Sequence, residues 1–311
     1  MAKGQGAGAQ AESAGVEAVF DQAFLRRLER LNLVARQLAH GPNLAERKSS
    51  HRGVSAEFAE YRRFVAGDDF RHIDWNAYAR WRSLVVKLFV EEHDLPVHIL
   101  VDSTASMAFG EPSKFLYARQ LSAGLAWLAL STYDRVSVLP LGAAGGAGTF
   151  PPSRGKEKFV TLLRLMNSWE VASGSVNFEA AIKEWLQYQP RRGMVLWISD
   201  LWGETPEDAF RALDRLRYAR QEISVVQLID PAEGDAGSPG EFTVESVEDG
   251  RTRQVLVDQR LRREYAERYR AYQEQVQRYC RRHHLAHAQV STATPVREVL
   301  LRSLQRGGIS A

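Results

Sequence analysis

Val97-His-Ile-Leu-Val-Asp-Ser-Thr-Ala-Ser-Met107 decides the fold. Its first half is a short apolar run, the pattern of a strand buried on both faces of a parallel sheet. Its second half breaks into an aspartate and small hydroxylated residues. It therefore reads as a loop at the carboxyl end of that strand, where open α/β sheets place their ligands. Asp102, Thr104 and Ser106 alternate along the chain, so one carboxylate and two hydroxyls can converge on one point. Oxygen donors of this kind suit a hard cation such as magnesium.

Working outward, the same pattern recurs. Apolar runs at 135–139, 194–198 and 223–229 read as strands, and the last two run into Ser199-Asp200 and Asp230. Between them the spacing predicts helices from Pro112 to about Ser131, over 155–168 and over 178–188, and one opening near Thr205, with Thr205 as its cap and Pro206 in its first turn. Alternating strands and helices imply an α/β fold with a mainly parallel sheet and helices on both faces. Asp102, Asp200 and Asp230 then gather along one rim of that sheet.

The flanks read differently. Residues 16–40 read as a helix with Phe24, Leu28, Leu31, Ala35 and Leu38 on one face. Residues 241–257 read as a hairpin turning at Asp249-Gly250. A long helix over 258–283 carries a stripe from Leu261 through Tyr265, Tyr269, Tyr272 and Val276 to Tyr279, with arginines on its other faces. Such a mixture suits nucleic acid or a helix docked on its own domain with snorkelling arginines. The docked helix is the expectation, with no nucleic acid as partner. His283, His284 and His287 have metal-like spacing without a carboxylate or cysteine cluster, and the helix dipole alone favours histidine there. A short helix over 295–305 follows.

Composition excludes several classes. Hydrophobic residues make up 44% and charged residues 25%, with a net charge of +3 over 311 residues, as in an ordinary globular chain of one large domain or two small ones. The single cysteine, Cys280, leaves no intramolecular disulfide and no Cys-based zinc cluster. No apolar run approaches a membrane span, and the first residues lack a signal-type apolar core. A cytoplasmic protein with a disordered tail over 1–15 is expected. The organisation anticipated after that tail is an N-terminal segment over 16–95, a central α/β domain over 96–230, and a hairpin with helices over 231–311 packed upon it.

A second informative stretch runs from Glu57 to Arg80. It mixes charge with aromatics, and Gly67-Asp68 signals a turn. Asp68, Asp69 and Asp74 beside Arg62, Arg63, Arg71 and His72 suit an acid–base or metal site. They equally suit a loop pinned by arginine–carboxylate pairs, with Trp75 packed beneath it.

Asp102-Ser-Thr-Ala-Ser106 at a strand end, with Asp200 later, resembles the von Willebrand factor A fold and its metal-ion-dependent adhesion site. The resemblance implies that Asp102, Thr104, Ser106 and Asp200 hold Mg2+ or Mn2+. In that fold a middle loop adds a threonine. Here Val176 stands in its place, flanked by Ser175 and Asn177, so the implied site is degenerate. The upstream signature Gly67, Asp68, Asp69, Arg71, Asp74, Trp75 and Arg80 narrows the match. The chain is similar to a bacterial family of unknown function, von Willebrand A-like, whose members are often encoded beside MoxR-type AAA+ ATPases. That resemblance implies a non-enzymatic adaptor of such an ATPase and its client proteins. A metal-dependent hydrolase using Asp68, Asp69 and Asp74 is the alternative. In a third reading the site is vestigial, with Thr104 and Ser106 only capping the turn.

Overall fold

The computed structural model describes residues 20, 24, 26, 28, 56–65, 73–91, 96–142, 148–172, 176–188, 192–203, 205, 207–245 and 252–305. They belong to two units, one spanning 39–94 and the other 1–38 together with 95–311.

In the smaller unit, strand β1 (Ala56–Arg63) runs antiparallel to β2 (Val85–Glu91), with Tyr61 opposite Lys87. Helix α1 (Trp75–Trp81) lies between them in sequence. Asp74 Oδ1 accepts the Ala77 amide at 3.1 Å and so caps that helix. Arg82, at φ 53°, ends it in the left-handed region with its amide on the Tyr78 carbonyl at 2.9 Å. The stretch that reads as a loop over 57–80 thus opens as a strand and closes as a capped helix. Alternation over Ala56–Arg63 is masked by its many charges, which is why the strand escapes a pattern reading.

The larger unit is built on one sheet. Its strands are β3 (Val97–Asp102), β4 (Val136–Leu141), β5 (Phe150–Ser153), β6 (Met194–Ser199) and β7 (Glu222–Ile229), while β8 (Gly240–Glu245) and β9 (Thr252–Val257) form a separate hairpin. A last strand, β10 (Ala286–Ser291), returns to the sheet, giving the order β10-β7-β6-β3-β4-β5. All neighbours are parallel except the edge pair β4 and β5. The expected mainly parallel α/β sheet is present, with helices on both faces.

Side chains alternate across the strands, and so sort the helices into two layers. Ile99, Val101, Val138, Ile198 and Val226 face α2 (Lys114–Ser131), α3 (Phe159–Asn167) and, through Leu300, a C-terminal helix at Val296–Gln305. Leu100, Leu139, Val195, Trp197 and Val225 face α4 (Phe178–Tyr188), α5 (Asp208–Tyr218) and α6 (Gln259–Arg282). The C-terminal helix, α7, lies close against α2 at Gly124, where any side chain would collide with Leu300. Phe24 and Leu28, two of the described residues of the first predicted helix, lie in the same core as α2. They and β10 join the flanks to the central unit, so the sheet is not confined to 96–230.

Helix starts differ from the sequence reading in two places. α2 begins at Lys114 because Ser113 is the cap, its Oγ accepting the Leu116 amide at 3.2 Å, and Pro112 precedes the cap. α5 begins at Asp208 rather than after Thr205. The Asp208 carboxylate is turned outward to cap the neighbouring α4, accepting the Phe178 and Glu179 amides at 2.7 and 3.1 Å. The long α6 docks on its own unit through Tyr272, Val276 and Cys280, with Arg260 and Arg278 on its outer side paired to Glu264 and Glu274. Among the described residues no helix is long and apolar enough to cross a membrane. The tail over 1–15 and the hairpin turn at Asp249-Gly250 lie outside the described residues.

Candidate functional site at the carboxyl rim

Strands β3, β6 and β7 each run into an aspartate at the carboxyl rim: Asp102 closes β3, and Asp200 and Asp230 follow β6 and β7. Asp102, at the end of β3, is fully buried. Its Oδ1 accepts the Thr104 amide at 2.8 Å and its Oδ2 accepts the Ser199 hydroxyl at 2.5 Å. The hydroxyls of Thr104 and Ser106 bond each other at 2.9 Å. Ser103 Oγ donates to the Leu141 carbonyl at 2.6 Å, tying this loop to the end of β4.

The tip of β6 is a tight turn. Ser199 Oγ, besides donating to Asp102, accepts the Leu201 amide at 2.7 Å, and Asp200 Oδ1 accepts the Trp202 amide at 2.9 Å. These bonds hold Leu201, fully buried, at φ 65°, a left-handed conformation that costs a leucine roughly 1 kcal/mol. Tyr272 donates to the Leu201 carbonyl at 2.5 Å, and Trp202 stacks on the Tyr272 ring at 4.2 Å. Helix α6 thereby roofs the turn.

Asp200 Oδ2 meets a cation from the chain itself. Lys114, the first residue of α2, is fully buried and places Nζ 2.6 Å from that oxygen. The same ammonium pairs with Glu233, in the loop after β7. Glu233 is aimed by the Asp230 amide at 3.0 Å and the Tyr269 hydroxyl at 3.2 Å, both on Oε2. Asp230 in turn accepts the Ala232 amide at 2.9 Å and the Thr292 hydroxyl at 2.8 Å. Gly110 lets the loop before α2 pass over Asp230, since it sits at φ 93° and has no side chain to strike that carboxylate.

Burial and neighbouring charge shift both Asp102 and Lys114. Burial, reinforced by the nearby Asp200, pushes Asp102 up to about 7, against the pull of its hydrogen bonds from Ser199 and Thr104. Burial also acts to lower Lys114, but Asp200 and Glu233 outweigh it and hold the ammonium above the ordinary lysine value. Burial and then Glu233 raise the Tyr269 phenol, so its proton stays available to Glu233.

Asp102, with Thr104 and Ser106 in the loop after it, lies at the end of β3 beside the Ser199-Asp200 tip of β6, and the Asp230 amide bonds Glu233, which shares Lys114 with Asp200. A divalent ion does not fit this donor set. The cationic position beside Asp200 holds an ammonium, both oxygens of Asp102 and of Asp200 already accept hydrogen bonds, and one of the Thr104 and Ser106 hydroxyls is spent donating to the other. Val176 is buried in the apolar core beneath α4 and α5, and Asn177 Oδ1 is taken by the Ala180 amide at 2.8 Å as the cap of α4. Ser175 lies outside the described residues. Among the described residues no group of three or more His, Cys, Asp or Glu side chains could hold a metal. His287 bonds Gln227 at 3.1 Å and His283 rests on the Tyr279 ring at 4.4 Å.

Of the upstream signature, Gly67, Asp68, Asp69 and Arg71 lie outside the described residues. Asp74 is buried as the α1 cap, and Arg80 is exposed. Trp75 is not packed beneath a loop: it is 62% exposed, because the cap turns Ala77 inward and leaves Trp75 on the outer side. Sequence reasoning missed Lys114, Ser199, Glu233 and Tyr269.

A mainly parallel α/β sheet whose rim closes over buried aspartates defines the class. The chain belongs to the family described as protein of unknown function DUF58, whose model matches residues 60–275. Among curated proteins it is 28% identical over 266 residues to the uncharacterized protein Rv1480 of Mycobacterium tuberculosis, covering 84% of this chain and 82% of that one. The uncharacterized protein Mb1516 of Mycobacterium bovis matches at 28% identity over the same shares of each chain. Among solved structures it is similar to the conserved hypothetical protein BatB from Bacteroides thetaiotaomicron, at 13% identity and TM-score 0.38 over 68% of this chain and 99% of that one. It is also similar to the manganese-loaded TRAP protein of Plasmodium vivax, at 12% identity and TM-score 0.30 over 42% of this chain and 56% of that one. At those scores neither structure bears on what this chain does.

Proposed function

We propose that this chain is a non-enzymatic, cytoplasmic interaction module, an adaptor between a MoxR-type AAA+ ATPase and its client proteins. One observation carries the reading. On α1, inside the family signature, Trp75 is 62% exposed and Tyr78 39% exposed, their rings edge to face at 6.4 Å. Exposed tryptophan and tyrosine beside arginine is the composition of binding hot spots, and Arg80 and Arg82 are exposed on the same short segment. The hydrolase alternative is weakened because Asp74, one of its three carboxylates, is spent on capping α1. The rim offers no substitute, since Ser106 is bonded to Thr104 rather than to a base.

The test is a pull-down of the MoxR-type ATPase of the same cell on the immobilised full chain, with and without EDTA. Trp75→Ser is expected to lose most of the bound ATPase while the wild type retains it in EDTA. ATPase retained equally by Trp75→Ser and wild type would reject α1 as the contact.

A further inference from the structure

The rim supplies its own cation, and the placement of that cation is specific. Lys114 Nζ is fully enclosed, at 2.6 Å from Asp200 and in an ion pair with Glu233. It sits in the first turn of α2, where the dipole disfavours positive charge, so nothing local to the helix selects it. What selects it lies across the rim: a carboxylate at the tip of β6 and another in the loop after β7, the second aimed by the Asp230 amide and the Tyr269 hydroxyl. A divalent ion placed against Asp200 on this side would lie beside the ammonium and be repelled by it.

We propose that Lys114 is the resident cation of the strand-end site, which works as a metal-independent lock joining the start of α2 to the tip of β6 and the loop after β7. The lock leaves no coordination position for a partner's carboxylate. It stands or falls independently of the ATPase reading, because it concerns only how the rim is neutralised.

The full chain is titrated with Mg2+ and with Mn2+ by calorimetry, and its thermal unfolding is followed in EDTA and in each ion at millimolar concentration. The lock requires no saturable heat in the micromolar range and a melting temperature that moves by less than about 1 °C. Lys114→Gln should melt roughly 10 °C lower. Mn2+ should raise the melting point of that variant but not of the wild type, because the carboxylates at the rim then lack their cation. Micromolar metal binding by the wild type, or a lower melting point in EDTA, overturns the lock. Should Lys114→Gln fail to fold, amine acetylation of the wild type followed by peptide mass spectrometry gives a second reading. Lys114 should react at least tenfold more slowly than the exposed Lys183, with or without Mn2+. Equal reactivity, or Lys114 released by Mn2+, also overturns it.

Discussion

β3 buries a titratable side chain near each end, His98 at the amino end and Asp102 at the carboxyl end, and among the described residues neither has a counter-ion. His98 Nδ1 bonds Ser137 Oγ at 2.7 Å and its ring meets the edge of Trp185 at 5.1 Å, while Nε2 has no partner. Burial pushes this imidazole down to about 4. At the other end burial and Asp200 push Asp102 up to about 7. Both groups are thus drawn toward their neutral forms. One strand away, Asp200 faces a lysine. What separates Asp200 from the two groups on β3 is the partner, since all three are buried to the same degree. Of these buried groups, His98 and Asp102 are drawn toward their neutral forms, while Asp200 shares the Lys114 ammonium with Glu233.

Breaking that cluster should have the largest effect. Lys114→Ala leaves Asp200 and Glu233 facing each other without a cation, and removing one partner of a buried pair costs about 3–5 kcal/mol. Asp102→Asn keeps an oxygen for the Thr104 amide and places an amide opposite the adaptable Ser199 hydroxyl, so about 1 kcal/mol or less is expected. Urea unfolding of both variants at neutral pH measures the contrast. Equal losses would erase the distinction between an ionic tip and a neutral one.

The two ends of β3 should also show opposite pH dependence. The unfolded His98 takes a proton below 6.5 and the folded one only near 4. Its contribution is present above 6.5 and is lost as pH falls through about 4, a change worth about 3 kcal/mol. Asp102 has the reverse sign. The unfolded carboxyl ionises near 3.8 and the folded one near 7, so its contribution is present at low pH and lost as pH rises through about 7. Between those limits the slopes oppose, and the wild type should vary little. His98→Gln should therefore lose stability with rising pH, and Asp102→Asn should gain it. Urea midpoints across about pH 4 to 7 would show the crossing, and parallel profiles for the two variants would refute it.

The sequence makes these regions unequally legible. β3, β6 and β7 are buried on both faces, so each is a mainly apolar run that stands out, and an aspartate closes β3 and follows β6 and β7. Convergence of Asp102 and Asp200 follows from the topology of a parallel sheet, and it was readable. β10 was not, because it is an edge strand with exposed Ala286 and Gln289, and its only strongly apolar residue is Val290. Lys114 was not readable as a ligand either. A lysine near the start of an apolar helix ordinarily lies in solvent, and its partners are 86 and 119 residues away. Val176 signalled that the metal set was broken, while the residue that compensates was visible only in three dimensions.

The smallest effect on stability is expected where the sequence is densest in signature residues. Trp75 projects from α1 with most of its surface in water, so Trp75→Ser removes little buried area and should change the unfolding free energy by about 0.5 kcal/mol or less. The helix itself persists, since its cap is Asp74 and its inward contact is Ala77. Asp74→Ala is the matching structural variant: it strips the cap and should weaken the unit by about 1 kcal/mol while leaving Trp75 in place. A side chain kept exposed without a stabilising role should matter for binding alone. The pair of variants therefore separates contact from scaffold. If Trp75→Ser destabilises the chain as much as Asp74→Ala does, the indole is part of the packing and the interaction surface must lie elsewhere.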